Sequence, residues 1–144
     1  MPTAINDIAH VIQLVIAPVF MLTAIGTVLN VLAGRLARAV DRRRVLVAAL
    51  PKLDVDIADI ARAEIEFEVR RINLIYISIT MAVLSALLVC CLIALAFIDA
   101  FVAADFAKLI AGLFILSMVA LIASLIIFLR EIFHSINSPR APIA

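Results

Sequence analysis

The sequence predicts an all-α integral membrane protein with three transmembrane helices, the first two extended into a cytoplasmic antiparallel helical hairpin. Three observations predict it. Of the 144 residues, 67% are hydrophobic and 16% charged, with a mean hydropathy of +1.25. A soluble domain carries about 45–50% apolar and about 25% charged residues, so this chain lacks the polar surface to cover a core in water. Next, residues 8–34, 72–98 and 109–129 contain no Asp, Glu, Lys or Arg. Each is long enough to cross ~30 Å of hydrocarbon as a helix, the state that pairs every backbone amide within its own segment. Last, residues 35–71 hold nine of the 12 Lys and Arg and residues 130–144 hold two, leaving Lys108 alone on the other side. Cations gather on the cytoplasmic side, so 35–71 and the C-terminus are expected inside, and Asp7 and the 99–108 connection outside.

The first span, 8–34, is expected to stay in the mature protein. Residues 1–7 carry no Lys or Arg, and the apolar run is longer than that of a cleaved signal peptide. Within it Gln13, Thr23, Thr27, Asn30 and Gly34 fall within about 100° on a helical wheel, and the stripe continues into Arg38. Two readings compete. Small and polar residues are how membrane helices pack against one another, and this is the preferred one. Alternatively, several copies surround an axis with the stripe inward, so that Arg38 rings the inner mouth of a pore. An Arg38–Glu64 bond would weaken the pore reading. Pro18 predicts a mid-span kink, which Gly26 would relax or use for close helix approach.

The 35–71 segment carries seven acids beside its nine cations. Its periodicity favours helices over a disordered linker. Asp59, Arg62, Glu66 and Arg70 share one face with alternating sign, opposite Ile57, Ile60, Ala61, Ile65 and Ile72. In the preceding arm Leu36, Val40, Val47 and Leu50 recur at helical spacing. Pro51 breaks the pattern and Asp54 is suited to cap the next helix, which puts the turn at about residues 50–54. Continuing both spans as an antiparallel pair sets Arg35 against Glu68, Arg38 near Glu64 and Arg44 near Asp59. Such exposed pairs would fix register more than hold the arms together. The Arg42, Arg43, Arg44 cluster is assigned an intramolecular or oligomeric role in preference to anionic lipid.

The second span, 72–98, places Tyr76 as an interfacial anchor, and the adjacent Cys90 and Cys91 within apolar surroundings that disfavour a disulfide. The third, 109–129, carries Ser117, Ala120 and Ser124 as a packing seam. One domain of residues 1–136 is expected, with 137–144 a flexible tail.

No charge lies inside a span, which argues against an ion-coupled transporter, and three spans offer no inverted repeat. His10 and His134 lie at opposite membrane faces, so neither a metal site nor haem ligation is expected; each reads as a surface histidine. No nucleophile–base pair, phosphate loop or metal-ligand spacing is present, so no catalytic residue and no cofactor is expected and the chain reads as not an enzyme. Net charge +1 gives no argument for nucleic acid.

Residues 12–20, Ile-Gln-Leu-Val-Ile-Ala-Pro-Val-Phe, the Arg-rich stretch 34–44 and the segment 64–76 with its Glu-x-Glu-x-Arg-Arg-Ile resemble a bacterial family of three-span integral membrane proteins of unknown function, DUF2721. The resemblance covers residues 5–135. It implies a small integral membrane protein of this three-span layout and brings no established activity, cofactor or catalytic residue. Because a single three-span copy can bury its polar stripes only partly, the expected function is a homo-oligomeric structural or assembly protein of the bacterial inner membrane, in contact with lipid. The alternatives are an oligomeric channel for ions or small solutes lined by the first span, and an accessory subunit of a larger heterologous membrane complex.

Overall fold

A computed structural model of the chain describes residues 2–102, 105–136 and 142, with side chains from residue 8 onward. Its elements are helical throughout: α1 (Pro2–Ala49), a 3-10 turn (Leu50–Lys52), α2 (Val55–Val102) and α3 (Ala107–Ile136). The expected spans 8–34, 72–98 and 109–129 fall inside α1, α2 and α3, and all three helices are long and apolar enough to cross a membrane. The expected tail, 137–144, lies outside the described residues apart from Pro142.

Helices α1 and α2 each run 48 residues, where about 20 suffice for a bilayer core. Helix α1 continues through Pro18 as one element, so the proline does not end it. Nor does Gly26 serve close approach within the chain, since a Cβ added there would meet nothing within 4 Å. The turn falls where Pro51 requires it. The Leu53 N–H reaches the Leu50 carbonyl at 3.5 Å, and the Asp54 carbonyl accepts the Ala58 N–H at 2.8 Å, which puts Asp54 at the start of α2.

Burial recurs every seven residues. On α1 it takes Ile25, Leu32, Ala39 and Leu46; on α2, Ala61, Glu68, Ile75, Ala82, Val89 and Ala96; on α3, Ser117, Ser124 and Glu131. A seven-residue repeat keeps one seam of a helix against its neighbours, as in a coiled coil. The repeat also revises the apolar stripes expected over 35–71. Val47 and Ile60 are exposed, and the buried residues are Ala39, Leu46, Ala58 and Ala61 together with Glu64 and Glu68.

The chain divides into two compact units. Unit 1 takes residues up to 29 with 81–123, and unit 2 takes residues 30–80 with those from 124 onward. In unit 1, Ile25, Ala82, Val89 and Leu92 form the core, flanked by residues that include Met21, Ile110 and Leu113. Here Ser85 Oγ donates to the Ser117 carbonyl at 2.8 Å, and Ser117 Oγ donates to the Phe114 carbonyl at 2.7 Å. In unit 2 the pair is reciprocal: Ser78 Oγ donates to the Ser124 carbonyl, and Ser124 Oγ to the Ser78 carbonyl, both at 2.8 Å. Ser117, Ala120 and Ser124 are all buried, as a packing seam requires. Lipid is as apolar as leucine, so small residues and such hydroxyl contacts replace the hydrophobic effect in holding membrane helices together. Leu87, Ile115, Val119 and Ile126 stay exposed, the surface that lipid would cover.

Candidate functional site

Unit 2 gathers charge that the span pattern alone does not reveal. Glu131 on α3 is fully buried. Arg71 Nε on α2 lies 2.6 Å from its Oε1, and Arg35 Nε on α1 lies 2.9 Å from its Oε2. Arg35 Nη2 also donates to Glu131 Oε1 at 3.5 Å, whereas the Nε contact is electrostatic, without a hydrogen bond of its own. Glu68 Oε1 takes the other edge of Arg71 at 3.5 Å. Nearby in the same unit, Arg42 grips Glu64 through two bonds, Nε to Oε1 at 2.8 Å and Nη2 to Oε2 at 3.2 Å. The guanidinium of Arg35 also sits 5.4 Å from the Phe128 ring centroid, a cation–π contact that further orients it.

Three arginines face three glutamates, so the cluster is neutral overall. That balance makes burial tolerable, because an isolated buried charge costs several kcal/mol and a paired one regains most of it through its partners. Burial pushes the Glu68 carboxyl above the ordinary carboxylate range; Arg71 pulls it down and Glu64 adds to the rise. The Glu64 hydrogen bond raises the Arg42 guanidinium above its usual value, against burial. Glu68 Oε2 is buried without a hydrogen bond from the described side chains. His134, expected at the surface, instead stacks on Phe67 at 4.3 Å between ring centroids, its Nε2 buried.

The ion pairs expected for the 35–71 segment are corrected. Glu64 pairs with Arg42 where Arg38 was expected, one helical turn away. Arg35 goes to Glu131 instead of Glu68, Arg44 to Asp41 at 3.9 Å, and Asp59 to Arg62 at 2.8 Å. The tight turn sets Leu46 against Ala61, which shifts the pairing by about a turn from a count made outward from the spans. A count over two arms also omits α3, whose Glu131 takes the Arg35 side chain. The exposed face did come out as expected, with Arg62–Asp59 and Arg70–Glu66 both at 2.8 Å.

The polar residues of α1 behave differently. Gln13, Thr23, Thr27, Asn30, Gly34 and Arg38 are all exposed. Thr27 Oγ1 donates back to the Thr23 carbonyl at 3.1 Å, a bond internal to the helix that engages no other element. Among the described residues no group of three or more His, Cys, Asp or Glu is placed to hold a metal.

A family model described as "Protein of unknown function (DUF2721)" matches residues 15–141. The chain belongs to this family. No curated protein and no solved structure matches it. The DUF2721 match takes in every member of the ion-pair cluster and the polar face of α1 from Thr23 onward; Gln13 precedes it.

Sequence reasoning missed Glu131 and Arg71 as partners. A signal was present: Glu131 stands seven residues beyond Ser124, itself seven beyond Ser117, and Arg71 and Glu64 continue the same step back from Ser85 and Ser78. Extending the seam past the end of the apolar spans finds both.

Proposed function

We propose that this DUF2721 protein is a homo-oligomeric structural or assembly protein of the bacterial inner membrane, whose copies meet along the polar face of α1. One observation carries the reading. The buried serines of α2 and α3 are satisfied within the chain, whereas Gln13, Thr23, Thr27, Asn30 and Gly34 are exposed. Side-chain amides left in hydrocarbon are costly, and a second copy supplies partners for them. The cation distribution supports an N-terminus outside, with the C-terminus and a 35–71 hairpin in the cytoplasm. Mass measurement in nanodiscs tests this: a defined multimer is expected, and a clean monomer removes the proposal. Recovery of a stoichiometric foreign partner in place of a multimer would point instead to an accessory subunit.

The second reading, an oligomeric channel, has its own support. Arg38 is exposed on the α1 face that carries the stripe, and Glu64 pairs with Arg42, which leaves Arg38 available to line a cytoplasmic mouth. Liposome flux that drops in Thr27→Leu and Asn30→Leu would favour this reading, and absent flux would leave the assembly role.

A further inference from the structure

Unit 1 contains a cleft of about 510 Å3 that neither the ion-pair cluster nor the polar face of α1 uses. Its volume falls in the range of about 300–1,000 Å3 common to small-molecule sites. Alanines make the space: Ala17 on α1, Ala96 on α2, and Ala107 and Ala111 on α3. Leu14 and Phe114 add apolar wall. Two polar side chains stand among these apolar ones, His10 and Asp99. Asp99 Oδ1 accepts the Phe106 backbone N–H at 3.2 Å, which fixes the carboxylate beside the α2–α3 connection and leaves Oδ2 for a second donor.

Asp99 is the first charged residue after the apolar run 72–98, and His10 lies near the start of 8–34. An apolar hollow that ends in a carboxylate and an imidazole at the edge of the spans complements one chemistry: an apolar chain whose head carries a cationic amine and an anionic phosphate. We propose that the cleft binds an aminophospholipid of the surrounding bilayer. One acyl chain occupies the alanine-walled space, the ammonium donates to Asp99, and the phosphate accepts from an imidazole N–H of His10. Selectivity comes from the amine, because a fully methylated nitrogen has no N–H to give Asp99, and charge-assisted hydrogen bonds are the stronger ones.

The test uses the full chain in nanodiscs of equal phosphatidylethanolamine and phosphatidylcholine with matched acyl chains, read by native mass spectrometry of retained lipid. The wild type is expected to retain phosphatidylethanolamine roughly tenfold over phosphatidylcholine, the worth of one charge-assisted bond. Asp99→Asn still accepts from Phe106 and keeps lipid, but its preference disappears. Ala111→Phe fills the cleft and releases both lipids with helicity unchanged by circular dichroism; Ala17→Leu repeats the test should Ala111→Phe not fold. Equal retention of the two lipids by the wild type, or a preference that Asp99→Asn leaves intact, overturns the proposal. Copy number is read from the same spectra, so failure of the assembly reading registers separately.

Discussion

Glu131 is the residue on which unit 2 most depends. It meets arginines from two other helices while fully buried, so Glu131→Leu leaves Arg35 without its anion and Arg71 with Glu68 alone. The expected cost is about 3–5 kcal/mol. Glu66→Leu, which breaks an exposed pair with Arg70, should cost about 0–1 kcal/mol. Unfolding by steric trapping in bicelles measures both, and equal costs would contradict the cluster's role. Glu68 behaves in the opposite sense. Its folded pKa is raised, so the native state holds this proton more tightly than the unfolded chain does. The stability it confers is therefore full at low pH and lost as pH climbs through the raised value. Glu68→Gln should flatten the stability profile just above the ordinary carboxylate range. A variant that keeps the wild-type slope there would refute this. Why Glu131 escaped sequence reading is also physical. It lies past the apolar run that marks the span, where hydropathy no longer distinguishes a buried position from a solvated one.

Among the elements, α2 carries the most information, because its buried positions repeat every seven residues from Ala61 to Ala96. Its serines illustrate what that seam demands. Ser85→Leu adds volume to a fully buried position and should cost about 1–3 kcal/mol, whereas Ser85→Ala loses only its bond to the Ser117 carbonyl, about 0.6 kcal/mol in membrane helices. Thr80→Ala, whose hydroxyl merely bonds back to the Tyr76 carbonyl on the exposed side, should change little. Thermal unfolding in detergent orders the three, and a Thr80→Ala effect as large as that of Ser85→Leu would deny the seam. The three spans, the position of the turn and the exposed Asp59–Arg62 and Glu66–Arg70 pairs were legible in the sequence, since each follows from local spacing or from Pro51. The register between α1 and α2 was not. It depends on how tightly the chain reverses and on which residues are small enough to sit in contact, Ala61 against Leu46 above all, and neither is a local property.

At the scale of the whole molecule, the proposed orientation and self-association are independent claims. In a Cys90→Ala, Cys91→Ala background, an impermeant thiol reagent applied to intact spheroplasts should label Asp105→Cys and leave Asp54→Cys untouched until lysis. Labelling of both from one side would cancel the assignment made from the cations. Self-association along α1 is the central claim, and disulfide scanning of that helix in the same cysteine-free background tests it most directly. Cysteines at Thr23, Thr27, Asn30 and Gly34 should cross-link copies in native membranes, while Val28→Cys and Ala33→Cys, which flank the stripe, should not. Cross-links absent throughout, or equally strong at the flanking positions, would contradict a polar face shared between copies.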